Sequence, residues 1–211
     1  MTDHFRSMPY WDARYRAGES SGAGSYGRLA TYKAAFINAV IEANGIAHVA
    51  DFGCGDGNLL SLLRAPAYTG LDVSETAIAR CAEQFPDLRF LRMAQAADMP
   101  PADLCLSIDV IYHLVEDDVF GRYMDALFAR ASRLVLIYAS NQDLAWPAPH
   151  VRHRRFSQHV AAAFPGWRLC AHAPNPYPFD PDRPDDTSFA DFFLYARAGT
   201  GCALCLPGAD G

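Results

Sequence analysis

Val49-Ala50-Asp51-Phe52-Gly53-Cys54-Gly55-Asp56-Gly57 is the stretch that decides the fold. The apolar run from Ile46 to Ala50 enters it as a short buried strand, which ends on an acid followed by glycines at every second position. Glycine permits a tight turn and lets a ligand reach the main chain with no Cβ in the way. The spacing is GxGxG, and Asn58 stands where the dinucleotide fingerprint GxGxxG needs its last glycine, which weakens the case for NAD or FAD. A second acid, Asp72, closes the next apolar run, Tyr68 to Asp72, where a carboxylate can accept hydrogen bonds from two ribose hydroxyls.

Outward from this turn, strands and helices alternate. Upstream, Leu29, Tyr32, Phe36, Ile37, Val40 and Ile41 recur at helical spacing, with Asn44-Gly45 as a stop. Downstream, Leu59 to Leu63 predicts a helix, and Ser74 caps another that carries Ile78, Cys81, Ala82 and Phe85 and halts at Pro86. Leu88 to Met93 and Leu104 to Ile108 predict strands three and four, and Asp118 opens a helix striped by Phe120, Tyr123, Met124, Leu127, Phe128 and Ala131. Leu134 to Tyr138 is a fifth strand, Phe156 to Phe164 a short helix, and Trp167 to Ala173 and Phe189 to Tyr195 two closing strands. The order implies an α/β fold, a seven-stranded, mostly parallel sheet with helices on both faces. Ligands of such sheets bind at the carboxyl ends of the strands, which lines up Gly53, Asp72, Asp109 and the residues after Tyr138 on one edge.

Composition sets the bounds. The 211 residues suffice for one α/β domain, expected over residues 1–198, with 199–211 as a flexible tail. Hydrophobic residues make up 51% and charged ones 20%, which excludes a disordered chain. The start, MTDHFRSMPYWDARYR, has no apolar signal region and no run reaches membrane-spanning length, so a cytoplasmic protein without membrane partners is expected. A net charge of −6 disfavours nucleic acid. The CxxC of Cys202 and Cys205 lacks the second half of a zinc site and is read as incidental, and no His, Asp or Glu cluster has metal-ligand spacing. The oligomeric state stays open between monomer and homodimer.

VADFGCGDG resembles motif I of the class I S-adenosylmethionine-dependent methyltransferases, YTGLDVS their next segment, and SIDVIYHL their fourth-strand motif. The resemblance covers about residues 45–140 and implies a Rossmann-like class I methyltransferase fold with S-adenosylmethionine as cofactor. It implies that Gly53, Cys54 and Gly55 pack against the methionine moiety, that Asp51 lies near its amino group, and that Asp72 with Val73 holds the ribose. Asp109 would border the methyl-transfer centre. Family members carry an acid soon after strand three for the adenine; here Asp98 is the acid nearby and arrives late, and Gln95 or backbone groups are the candidate replacements.

Tyr10-Trp11-Asp12-Ala13-Arg14-Tyr15-Arg16 is similar to the cap helix of small-molecule methyltransferases, where Tyr15 would close over the cofactor; a solvent-facing amphipathic helix is the other reading. The glycine-rich SSGAGSYGR that follows suits a mobile lid ending near residue 27; a plain loop is the other reading. His113, four residues after Asp109, is a candidate general base, or a residue that only shapes the pocket. The run His150-Val151-Arg152-His153-Arg154-Arg155 follows strand five in an acidic protein, and arginine forks match phosphate or carboxylate; solvated charges are the plainer reading.

SGAGSYGR, DVIYHL and HVRHRRF together resemble the phosphonate O-methyltransferases of antibiotic biosynthesis, and small methyltransferases that accompany polysaccharide assembly. The expected activity is O-methylation of a small anionic acceptor, a phosphonate, phosphate or carboxylate. Arg152, His153, Arg154 and Arg155 would bind it, with Tyr26 and His113 as catalytic hydrogen-bond donors. A sugar or other hydroxyl acceptor would instead need His113 as base. A protein that binds S-adenosylmethionine without turnover is the third reading.

Overall fold

The computed structural model describes residues 5–204. Seven strands form one sheet: β1 (His48–Phe52), β2 (Ala67–Asp72), β3 (Arg89–Arg92), β4 (Ala102–Ile108), β5 (Ala131–Ala139), β6 (Trp167–Ala173) and β7 (Asp191–Arg197). Their order is β3-β2-β1-β4-β5-β7-β6. All neighbours pair in parallel except β7, which runs antiparallel between β5 and β6. The sheet is therefore seven-stranded and mostly parallel, as the alternation predicted. Strand order reverses between β1 and β4, so the crevice for a ligand opens at the ends of those two strands.

Helices α1 (Ser7–Arg16), α2 (Gly27–Ala43), α3 (Glu75–Gln84), α4 (Asp117–Arg130) and α5 (Phe156–Ala163) complete the fold. The central strands are apolar on both faces because both are covered. Phe36, Ile37, Val40 and Ile41 of α2 and Cys81 of α3 pack on one face against Val49, Leu104, Leu106 and Leu136. Phe120, Met124, Leu127 and Phe128 of α4, with Phe156 and Val160 of α5, pack on the other against Ala50, Phe52, Val135 and Ile137. No helix among the described residues is long and apolar enough to cross a membrane.

Three sequence expectations need correction. The helix expected over Leu59–Leu63 is one 3-10 turn, Leu60–Leu62, after which Leu63 is already extended. Asn38 of α2 satisfies the short connection instead: its Nδ2 donates to Leu62 O (2.9 Å) and its Oδ1 accepts Arg64 N–H (2.8 Å). Helix α4 begins at Asp117 without a side-chain cap, and Asp118 pairs with Arg122 one turn on. The chain also does not trail free from residue 199: Asn44 donates to Ala203 O (2.7 Å) and accepts Ala203 N–H (2.8 Å). Cys205, and with it the CxxC pair, lies outside the described residues.

Candidate active site

A cavity opens at the carboxyl ends of β1, β2 and β4. Its floor is the turn after β1. Gly53 (φ 97°), Gly55 (φ 59°) and Gly57 (φ 79°) all take left-handed conformations that other residues adopt at a cost. Space also demands two of them. A Cβ on Gly53 would overlap Val110 Cγ2, and one on Gly55 would overlap Ser21 Oγ.

Two buried acids flank this turn. Asp51, 3% exposed, accepts the Tyr68 hydroxyl at Oδ2 (2.9 Å), while its buried Oδ1 has no hydrogen-bond partner among the described residues. Burial pushes its carboxyl up to about 7 against the pull of Tyr68. Asp72 accepts Gly55 N–H at Oδ2 (3.1 Å) and Ser74 N–H at Oδ1 (2.9 Å). Burial raises it to about 6, and those N–H groups oppose the rise. Each carboxylate oxygen has two lone pairs, so Asp72 keeps capacity for further donors. Cys54 and Val73 line the same cavity.

The N-terminal segment forms the opposite wall. Helix α1 is docked rather than solvent-facing: Ser7 donates to Glu116, Ser74 Oγ meets Asp12 Oδ1 (3.1 Å), and Arg80 donates to Tyr15 O (2.7 Å). That places Trp11 and Tyr15 on the cavity. The Tyr15 hydroxyl, its pKa raised by burial and the nearby Asp72, meets Ser21 Oγ at 2.9 Å. Tyr26 departs from expectation. Its side chain is not on the cavity; its hydroxyl donates to Asp56 Oδ2 (2.8 Å) at the rim, where burial and that carboxylate push its pKa up to about 12. Asp56, read in the sequence only as a spacer between glycines, joins the N-terminal segment to the turn.

Beyond β4, Asp109 adopts φ 61°, the sole non-glycine residue with positive φ among those described. Its Oδ1 accepts the Tyr112 hydroxyl (2.7 Å), and its Oδ2 pairs with Lys33 of α2. The Lys33 side chain is 1% exposed, lies 5.4 Å from the Tyr138 ring centroid and lines the cavity. Sequence reasoning missed it, although a signal existed: it is the one lysine in the chain.

His113 lines the cavity within a stack of rings, 4.7 Å from Trp11 and 5.5 Å from His150. Its Nδ1 lies 2.9 Å from His150 O, and a carbonyl only accepts, so Nδ1 carries the proton and Nε2 keeps a lone pair. Desolvation lowers its pKa to about 4, which makes it a neutral acceptor and a feeble base.

The arginine run does not reach this cavity. Arg152 donates to Val115 O (2.8 Å) and pairs with Asp117 (3.0 Å). Arg154 donates to Leu114 O (2.7 Å) and Val115 O (2.9 Å), pairs with Asp117 (3.1 Å), and stacks over Phe120. Arg155 faces Asp143 (3.4 Å), and His153 is buried between Trp146 and Phe189 with Nδ1 2.6 Å from Ser140 Oγ. Together with Asp117 and Asp143 the run lines a separate cavity. Arg152 and Arg154 brace the 114–117 segment, just after His113, from outside the first cavity. Gln95 and Asp98 do not line the cavity either; Gln95 Oε1 accepts Arg92 N–H (3.1 Å), and Met93 is the residue after β3 that does line it.

Comparison with known proteins agrees with this arrangement. Residues 50–136 match the family described as methyltransferase domain. That stretch runs from β1 to β5 and is similar to a methyltransferase domain. Trans-aconitate 2-methyltransferase of Klebsiella pneumoniae (strain 342) is 42% identical over 71 residues, which cover 32% of this chain and 26% of that protein. The chain thus matches about a quarter of that relative's length. Among solved structures, magnesium protoporphyrin IX methyltransferase of Synechocystis PCC 6803 with bound SAM superposes at a TM-score of 0.65, with 14% identity over 94% of this chain and 100% of that one. N-methyltransferase NodS of Bradyrhizobium japonicum WM9, in complex with S-adenosyl-l-homocysteine, superposes at 0.66, with 12% identity over 92% of this chain and 100% of that one. At such identities the superpositions establish the fold, and the stretch that matches the methyltransferase family spans the turn, Asp72 and Asp109.

Proposed function

We propose that this chain is an S-adenosylmethionine-dependent O-methyltransferase whose acceptor is a small molecule bearing an anionic oxygen. The observation that carries the cofactor is Asp51: a buried carboxylate with one oxygen unpartnered, in a cavity floored by the Gly53–Gly55 turn. A buried carboxylate in that state calls for a cation. The amino group of S-adenosylmethionine supplies one, and Asp72, with lone pairs to spare, suits the ribose hydroxyls. The donor set therefore fits the group. When bound, it would supply an electrophilic methyl carbon on a sulfonium, to be transferred to an acceptor oxygen with the C–S bonding pair leaving on sulfur as a neutral thioether.

The chain's own task is orientation and exclusion of water. Trp11, Tyr15 and Ser21 wall the cavity on the side away from the sheet. A carboxylate acceptor arrives ionised and needs no base. A sugar hydroxyl needs one, and an imidazole held near 4 serves poorly. That favours the anionic acceptor over the hydroxyl. Within the anionic class, the phosphonate reading leaned on the arginine run, whose side chains are engaged elsewhere. The local match to a protein named for trans-aconitate points to carboxylates instead.

The test is calorimetric binding of S-adenosylmethionine to wild type and Asp51→Asn, followed by a thioether-product release assay over small carboxylic acids, phosphonates and sugars. Cofactor binding that weakens at least about tenfold in the variant, with turnover confined to acids, is the expected result. Absence of cofactor binding would overturn the reading. Binding without turnover on any acceptor would convert it to a non-catalytic binder.

A further inference from the structure

Every basic Lys or Arg position of this chain but one is arginine, and the exception is buried in the candidate active site. Lys33 is the one Lys or Arg side chain that lines the cavity among the described residues, against four carboxylates, Asp51, Asp56, Asp72 and Asp109. Three of the four acids have other duties: Asp56 holds Ser21 and Tyr26, and Asp51 and Asp72 face the cofactor under the proposed function. Asp109 takes one hydrogen bond from Lys33.

An ammonium has three N–H donors. Among the described residues, Lys33 Nζ meets Asp109 Oδ2 and no other hydrogen-bond acceptor, with the Tyr138 ring on a further side. At 1% exposure, bulk water does not complete the set. A buried ammonium with donors left over is costly, and a ligand oxygen in the cavity would relieve the cost. A purely structural pair with Asp109 would be served as well by a surface-type arginine fork. A compact point charge on a flexible stem instead can touch Asp109 and a second oxygen together.

Resting on the methyltransferase reading, we propose that Lys33 is the residue that binds the methyl acceptor, by donating from Nζ to a carboxylate oxygen. Charge supports a carboxylate. Lys33 neutralises Asp109, so the acceptor anion faces the sulfonium charge rather than an exposed aspartate. Methylation removes the acceptor's negative charge, so Lys33 holds substrate more tightly than ester product and release follows from the chemistry.

The test uses the full chain as wild type, Lys33→Met and Lys33→Gln. Each is titrated with S-adenosylhomocysteine, then, at saturation, with trans-aconitate, succinate and benzoate, their methyl esters serving as neutral controls. The expected result is an acid that binds the wild-type complex and weakens at least about 30-fold in both variants, as loss of one partner of a buried charge pair requires. Affinity for S-adenosylhomocysteine should change less than about threefold. Acid binding that survives in the variants, or no acid binding to wild type, overturns the role of Lys33; the methyltransferase reading stands or falls separately, on whether S-adenosylhomocysteine binds. Should the variants fail to fold, wild type labelled at lysine gives one side-chain NMR signal without assignment. Movement of that signal on adding acid, and none on adding ester, supports the proposal; a stationary signal overturns it.

Discussion

Asp56 and Ser21 clasp each other across the mouth of the cavity. Ser21 N–H donates to Asp56 Oδ2 (2.7 Å), and Asp56 N–H donates to Ser21 Oγ (3.0 Å). Asn58 adds a third tie, from Nδ2 to Ser25 O (2.6 Å). The glycine turn that cradles the ligand is thus also the latch for the segment that covers it.

Asp56→Ala should therefore loosen the cover without unfolding the domain. The bonds sit at a partly exposed rim, so their loss should shift the closed–open balance by about 1–2 kcal/mol, a factor of about 5 to 30. Stopped-flow release of S-adenosylhomocysteine should quicken by that factor, and limited proteolysis should cut between residues 17 and 26 sooner. Unchanged release would show that the segment does not gate the cavity.

Gly53→Ala should be far more damaging than Gly27→Ala, although both glycines have positive φ. At Gly27 a Cβ meets nothing within 4 Å, so only backbone strain is felt, about 1–2 kcal/mol. At Gly53 the same strain is joined by overlap with Val110 and by intrusion towards the cofactor cradle, which add about 1–3 kcal/mol. Thermal midpoints and cofactor titration of the two variants separate strain from crowding.

Much of this was legible beforehand, for physical reasons. Strands buried on both faces must be apolar throughout, so Ile46–Ala50 and Leu134–Tyr138 announce themselves, and glycines with an adjacent acid mark the sheet edge that binds ligand. What failed was destination. Arg152 and Arg154 follow a strand end, but Asp117, their partner, lies 35 and 37 residues away in sequence, and only the fold brings it near. Lys33 falls between Tyr32 and Phe36 on a helix, where a polar residue at that spacing ordinarily faces water. Asp56 looked like filler between glycines because the motif is defined by its glycines.

Asp51 should give the cofactor a pH dependence whose sign is fixed. Its carboxyl is raised to about 7 in the fold, so the ligand-free protein binds that proton more tightly than the unfolded chain does. The stability it contributes is full below the unfolded carboxylate value, about 4, and is lost as pH rises through about 7. His113, lowered to about 4, works the other way, contributing stability above its unfolded value that is lost as pH falls through about 4. The comparison of wild type with Asp51→Asn removes that common trend. Without ligand the two should melt together below about pH 4, and the variant should be the more stable near about pH 8. With S-adenosylmethionine the order should reverse at about pH 8, since the ionised Asp51 then has its cation. Parallel melting curves at both pH values would remove Asp51 from the cofactor site.

Arg154→Ala and Arg155→Ala distinguish a brace from a clamp. Arg154 is 14% exposed on its side chain and its guanidinium is spent on two carbonyls and Asp117, beneath a loop that begins one residue after His113. Its removal leaves Leu114 O and Val115 O without those donors and Phe120 uncovered, so a loss of about 1–3 kcal/mol in stability is expected, with KM for the acceptor within about threefold of wild type. Arg155 is 58% exposed and faces only Asp143, so its removal should change stability by no more than about 0.5 kcal/mol. A clamp would behave in the opposite sense: stability would barely move, and KM for an acid would climb steeply in both variants. Urea denaturation beside steady-state kinetics decides between them, and a steep KM effect in Arg155→Ala would return the arginine run to the acceptor site.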